Sequence, residues 1–492
     1  MRRRLASSSL IAVATFVLGL LSANPTAAQS TYTWSSPTSS TWAAPGSWTL
    51  NTGSGTAPPV SGDTADFSGT GVTVTLAANA VNTVNVTGSG AWTWATGTLT
   101  LDSGGSFNYG SSATSTFSGT LAGGGAMNVT AGTLIMSGTN SYTGLTTVSG
   151  GTLTLSGTNT NMSGGVTLTT GTLNINSASA LGSGTFTING GTINNTSGAA
   201  VTLTAANAQT WNSSFNFTGT NALTMLGAVT LGGAVQVNPG GPAFMISGGT
   251  TNAASLVPLT VGAIGGGANS LTVSGTGTVI VASNSVSTYT GGTTIGTASP
   301  NSGTLVFANL TQGSNLAPLP TTGTLTINAG GTLVYALATN SGSGITVGNS
   351  LMSGSGLIFV QGNETPILES SENVFGLSGN TNFTGTVAFA NARLSLGLAA
   401  TIGSATGLSV LQGGQLFLGS ATTIPSTVTI TLAGNGWYDS GSAVGPGAQS
   451  GAIRYSSATT INGNIVLSAN ARIAPQRHHR RDRRQHLGPL HA

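Results

Sequence analysis

With 38% hydrophobic and only 4% charged residues over 492 positions, the chain has the opposite balance to a disordered polypeptide. Its 11 cationic residues are all Arg and 76 residues are Gly, while Thr, Val, Ile and Ser dominate the rest, which excludes long helices and favours short strands joined by tight turns. The net charge of +3 is set by the two ends, because the body holds only Arg393 and Arg454 against seven acids, a balance that excludes a nucleic-acid-binding surface.

The first segment reads as a leader. Met1-Arg2-Arg3-Arg4 is a basic start, Leu10 to Leu21 is an apolar core too short to span a bilayer, and small residues follow up to Ala28. Residues 1–28 are therefore expected to be a cleaved signal peptide. No later segment is apolar enough to serve as a transmembrane helix. The chain has no Cys, which suits a long repeat array that buries enough surface without disulfides.

Residues 29–90 differ in composition from the rest of the body. They carry Tyr32, Trp34, Trp42 and Trp48, the pair Pro58-Pro59, and the run Gly62-Asp63-Thr64-Ala65-Asp66-Phe67. Aromatic clusters of this kind can stack on sugars, but a solenoid needs its open first coil covered, and large side chains do that. The segment is expected to be an N-terminal cap with the first coils.

From residue 91 to 470 one phrase recurs: Gly, Thr, then alternating apolar residues. It starts at Gly97, Gly132, Gly151, Gly171, Gly184, Gly277, Gly303, Gly323, Gly331 and Gly385, with a worn copy at Gly414. In Leu153-Thr154-Leu155 the two Leu face one way and Thr154 the other, since strand side chains alternate. A strand so short gains stability only by stacking on its neighbours, where each buried Leu or Ile contributes about 1.5–3 kcal/mol. A 20-residue spacing with Gly corners predicts an all-β parallel β-helix (β-solenoid). At that period residues 91–470 would make about 19 coils, a rod of roughly 90 Å.

The fullest phrase runs from Ser137 to Leu155 and contains Gly138, Asn140, Tyr142, Thr143, Gly144, Thr146, Thr147, Gly150, Gly151, Thr152 and Leu153. A second copy holds Tyr289, Thr290, Gly291, Gly292, Thr293 and Thr294, and weaker ones begin at Gly157 and Gly379. This pattern resembles the autotransporter-associated β-strand repeat, also called the passenger-associated transport repeat, departing from it at Leu145 where the family has Gly. The aromatic opening resembles the lead-in of such proteins.

The resemblance implies a right-handed parallel β-helix passenger, exported and displayed on or released from a Gram-negative-type cell, with the repeats aiding folding during outer-membrane passage. It also implies a carboxyl-terminal β-barrel translocator. No part of the sequence reads as one, so a truncated chain without its translocator is expected.

Chemistry-bearing residues are few. With no His or Cys in the body, Ser-His-Asp, Cys-His and zinc chemistry are excluded there. Asp63 with Asp66, and Glu364, Glu369 and Glu372, are the carboxylate groupings that could hold calcium or act on a polysaccharide. A lyase would also need a base, for which only Arg393 and Arg454 are present. Pro366 marks the 364–372 run as a solvated turn. Gly123-Gly124-Gly125 is a corner, because no helix or Lys follows to cradle phosphate. The expectation is a non-enzymatic structural or adhesive scaffold with no cofactor or metal, its polar faces meeting surface glycans. A carbohydrate-active β-helix is the alternative.

At residues 471–492 the composition turns basic, with all four His and six Arg in the final stretch. The tail reads either as a metal- or lipid-binding segment or as a shifted reading frame. Dropping one nucleotide near Gln476 in G/C-rich codons restores a phrase like Thr260-Val261-Gly262-Ala263-Ile264-Gly265-Gly266, so a frameshift is the expectation. The last coil, near Ile461 to Ile473, is expected to be uncapped.

Overall fold

The computed structural model describes residues 29–475 apart from 248–249, 252–254, 283–286, 298–302, 311–322, 338–344, 348–351, 363–373, 378–381, 397–401, 403, 420–421, 437, 440–447, 450 and 456–458. The leader 1–28, the acids Glu364, Glu369 and Glu372, and the tail beyond Pro475 lie outside the described residues.

Strands of two to twelve residues stack in parallel, coil on coil, around one apolar interior. The all-β parallel β-helix expected from the sequence is what the chain forms. The strand Thr146–Leu155 shows how a coil is made. Its first part (Thr146 to Val148) pairs with Met127 to Val129 on one side and Val166 to Leu168 on the other. After the corner at Ser149-Gly150-Gly151, its second part (Thr152 to Leu155) pairs with Thr133 to Met136 and Thr172 to Ile175. Leu134, Leu153, Leu173 and Ile193 thus stack in register inside, all fully buried. Tyr109, Val129, Val148, Leu168, Ile188, Trp211 and Leu231 do the same on the neighbouring side.

The side chains between these core positions point outward and form rows with one residue per coil. On the first side the row reads Thr33, Asp66, Asn85, Asn108, Asn128, Thr147, Thr167, Thr187, Thr210 and Thr230.

Near the amino end, Thr31–Trp34 pairs in parallel with Thr64–Phe67 and antiparallel with Trp48–Thr52, so the outer edge of the first coil is occupied by an antiparallel strand. Trp34, Trp42, Trp48, Phe67, Trp92 and Trp94 pack edge-to-face, tilted or stacked at centroid distances of 4.8–6.3 Å. All of them are buried, so none offers a ring face to a sugar.

Two sequence readings change. The recurring phrase marks entry into a strand on any side of the coil, not one fixed side: the copies at Gly132, Gly151 and Gly171 lie on one side, that at Gly184 on another, and those at Gly277, Gly303 and Gly331 on a third. The step from Gly303 to Gly323 is accordingly a step around one coil, since Thr304 pairs with Thr278 whereas Leu325 pairs with Thr293. The period also lengthens past residue 231, where Val229 pairs with Ile264 and Leu223 with Leu259. An 11-stranded sheet carries the chain from Val201 to Ala471, where a 20-residue period would need about fourteen strands. The coils are therefore fewer, and the rod shorter, than an even period implies.

This 11-stranded sheet also differs in its outward row, which runs Thr202, Thr224, Thr260, then Ile280, Val306, Val334, Phe359 and Ala388, then Ser409 and Thr431. Its apolar middle forms a second small core outside the coil, against which Phe244 and Ile246 from the segment after Gly241 pack. Phe244 lies 5.4 Å from Phe359. The last strand of the sheet, Asn464–Ala471, exposes Ile465, Val466 and Leu467, and two of these continue the core column from Ile430 and Leu432.

Candidate functional site

The repeat motif can now be read residue by residue. Tyr142 and Tyr289 occupy the same place in two coils, each fully or nearly fully buried with its hydroxyl 2.6 Å from the hydroxyl of the Thr four residues on, Thr146 and Thr293. Burial raises both phenols above their ordinary value of 10.0, opposed by the smaller effect of that hydrogen bond. Tyr335 is raised by burial and then by the neighbouring Tyr289. A phenol that resists ionisation and is already bonded is a core group and not a proton donor for chemistry.

Thr143 and Thr290 are exposed, and each directs its hydroxyl back to a carbonyl of the preceding coil, that of Gly123 and Gly267. Thr147 and Thr294 are outward residues in the rows of their respective sides, and Thr152 lies outward of Leu153. The glycines are required by space. A Cβ on Gly138 would lie 1.8 Å from the carbonyl oxygen of Gly119, and one on Gly144, Gly150 or Gly291 would lie 2.1–2.3 Å from the backbone of the coil beneath. Gly151 and Gly292 have φ of +59° and +95°, a region that disfavours a side chain. At the position of Gly292 in the other copy stands Leu145; Thr96 and Asn391 are the only non-Gly residues of positive φ among those described, so Leu145 avoids strain and leaves its side chain 45% exposed.

Asn140 is the motif's polar corner. Buried, it accepts from the backbone N–H of Leu121 at 3.1 Å and donates to the side-chain oxygen of Asn159 at 2.8 Å, and Asn159 donates onward to the carbonyl of Ala180. In the second copy Ser287 stands there, buried, with a hydroxyl that has no hydrogen-bond partner among the described residues. The first copy is thus stitched to the coils on both sides, and the second is not stitched at this point.

The carboxylates separate rather than converge. Asp63 is buried and accepts from the backbone N–H groups of Ser30 and Val60, which fixes the turn before its strand. Asp66 faces outward and accepts from the amide of Asn85 at 2.9 Å. Asp102 holds the Ser61-Gly62 turn from two coils further on. Arg393 is buried with its guanidinium 5.5 Å from the Phe417 ring centre. Among the described residues no group of three His, Cys, Asp or Glu is placed to hold a metal ion, and no helix is long and apolar enough to cross a membrane.

What sequence reading missed is the first outward row. Asn85, Asn108 and Asn128 lie outside the recurring phrase, and only the strand register unites them. Their side chains form a ladder in which Asn128 donates to Asn108 and Asn108 to Asn85, each at 2.9 Å. Beside the ladder lies an open groove of about 370 Å³, with Asp66, Asn85 and Asn108 on one wall and Thr87, Gly110 and Thr130 on the other.

No curated protein and no solved structure matches the chain. The passenger-associated-transport-repeat family matches it over residues 131–154, 150–175 and 271–298. These stretches hold Tyr142 with Thr146 and Tyr289 with Thr293, the buried pair common to both coils. The chain is a parallel β-helix that carries the passenger-associated transport repeat, as an autotransporter passenger does.

Proposed function

We propose that the chain is an exported autotransporter-type passenger, working as a structural and adhesive β-helix scaffold at the cell surface or outside the cell and not as an enzyme. The single observation that carries the reading is that the motif side chains are consumed in the winding itself: Tyr142 bonds Thr146 across its own corner, while Asn140 to Asn159 and Thr143 to the Gly123 carbonyl join one coil to the next. A repeat whose polar groups are spent on inter-coil bonds provides winding and register. That property suits a chain that folds progressively after passage through an outer membrane. In this reading residues 1–28 are removed on export, residues 29–90 close the first coil with their buried aromatic cluster, and the outward Thr and Asn rows are the contact faces toward surface glycans.

Expression of the full chain in a Gram-negative host, fused to an autotransporter barrel, tests the proposal. Amino-terminal sequencing should begin at Gln29, and external protease should reach the passenger on intact cells. An uncleaved protein confined to the cytoplasm would overturn it. The carbohydrate-active alternative needs a polysaccharide-degrading activity that disappears when Glu364, Glu369 and Glu372 are replaced together by Gln.

A further inference from the structure

We infer that the groove beside the Asn ladder is a binding site for a linear, neutral glycan lying along the helix axis; this rests on the adhesive reading and assigns its contact face. Three observations carry it.

The first is direction. Asp66, Asn85 and Asn108 belong to successive coils in register, as do Thr87, Gly110 and Thr130, so both walls run along the axis, the first with one polar side chain about every 4.8 Å. A ligand that meets equivalent groups at each step is itself a repeating chain.

The second is the hydrogen-bonding character of the walls. The ladder consumes most of the amide donors, since Asn85 spends one N–H on Asp66, and Asn108 spends both of its own on Asn85 and the Ser106 hydroxyl. Thr130 spends its hydroxyl hydrogen on the Tyr109 carbonyl. What remains toward the groove is mainly acceptor capacity, in the second carboxylate oxygen of Asp66, the spare lone pairs of the amide oxygens and the Thr130 oxygen, with the Ser68 and Thr87 hydroxyls able to donate or accept. Acceptors in a line select a ligand rich in hydroxyl donors. Because the amides are already bonded to one another, they lose little side-chain freedom on binding.

The third is charge and shape. Asp66 is the only charged residue on the walls, which disfavours polyanions and leaves one carboxylate where a tightly held divalent cation wants several. Gly110 breaks the second wall, and its missing side chain is what keeps the groove open: a Cβ there would lie 3.1 Å from the Thr130 hydroxyl. Since every Trp of the neighbouring cluster is buried, recognition rests on hydrogen bonds, with modest affinity gained from repetition.

Calorimetry on the full chain tests the assignment, with linear glucan and mannan oligosaccharides as neutral probes, polygalacturonate as the acidic one, and calcium alone. Gly110→Leu fills the groove from one wall, and Thr87→Lys fills it from the exposed edge while neutralising Asp66. The expected result is binding of a neutral oligosaccharide that weakens about tenfold or more in both variants, with circular dichroism unchanged. Neutral-glycan binding that survives in both variants places the ligand elsewhere, sinking the groove while sparing the adhesive reading. A preference for polygalacturonate, or saturable binding of calcium alone, overturns the neutral-glycan assignment. Binding of no probe by a chain that passes the surface-display test overturns the groove and leaves the passenger reading intact.

Discussion

Between Thr64 and Leu231 successive strands pair at steps close to 20 residues and the outward row is polar throughout; from Leu259 to Leu467 the steps lengthen and the outward row of the 11-stranded sheet turns apolar for five coils. The difference teaches where each region finds its register. In the first, side chains bond from coil to coil through the Asn85 ladder outside and the Asn140 corner inside, and glycines bring backbones too close for any side chain. In the second, the sheet is buried on both faces, and register comes from packing of Val306, Val334 and Phe359 under Phe244. Close glycine approach is common to both, as Gly277 and Gly385 show; on the outside of the coil one region is specified by hydrogen bonds, the other by apolar contact.

The sharpest way to break this comparison is at a glycine of the closely wound region. Gly138→Ala forces a methyl group into the Gly119 carbonyl and should cost on the order of 3 kcal/mol, read as a large drop in thermal midpoint. Gly46→Ala, with open space around it, should change stability by less than about 0.5 kcal/mol. Equal effects would mean that the coils can move apart freely.

Next in size is the corner of the two motif copies. Asn140→Ala strands the Leu121 N–H and the Asn159 side chain and should cost about 1–3 kcal/mol in urea unfolding. Ser287→Ala removes a hydroxyl that makes no described bond and should be neutral or stabilising. The reverse order would show that the stitching of the first copy does not hold its register.

An effect smaller per residue and per pH unit, but shared by three tyrosines, concerns pH. Burial raises the folded values of Tyr142, Tyr289 and Tyr335 above 10.0, whereas the unfolded phenols ionise near it. Their contribution is complete below pH 10 and declines as pH rises through the folded values, by up to about 1.4 kcal/mol per pH unit for each tyrosine. Thermal melts from pH 9 to 12 should fall accordingly, and Tyr142→Phe with Tyr289→Phe should flatten the slope. An unchanged slope in the double variant would show that neither phenol is protected.

The weakest effect expected is self-association through the last described strand of the sheet. Exposed Ile465 and Leu467 continue the core column, so light scattering should detect concentration-dependent association that Leu467→Lys reduces. Monomers at every concentration would show that this edge is already satisfied.

Sequence reading reached the β-helix because Leu153-Thr154-Leu155 and its copies carry both the strand alternation and the repeat. It reached the motif residues but not their work, since Asn140 and Asn159 meet only once a full coil separates them. It overcounted coils because it carried an even 20-residue period past residue 231, taking the step from Gly303 to Gly323 for a full turn. The second core was legible in principle: Leu357 to Val360 and Leu305 to Phe307 are unbroken apolar runs, the mark of strands buried on both faces. The groove was not, because Asn85, Asn108 and Gly110 share no local pattern.

The ladder has one further property, its polarity. Asn128, Asn108 and Asn85 all donate toward the amino end, and the series finishes on Asp66, which when ionised can only accept. One carboxylate thereby dictates the orientation of three amide dipoles in three coils, each reinforcing the next. Asp66→Asn would leave that direction unassigned, and a fixed electrical vector along the rod would become a choice between two.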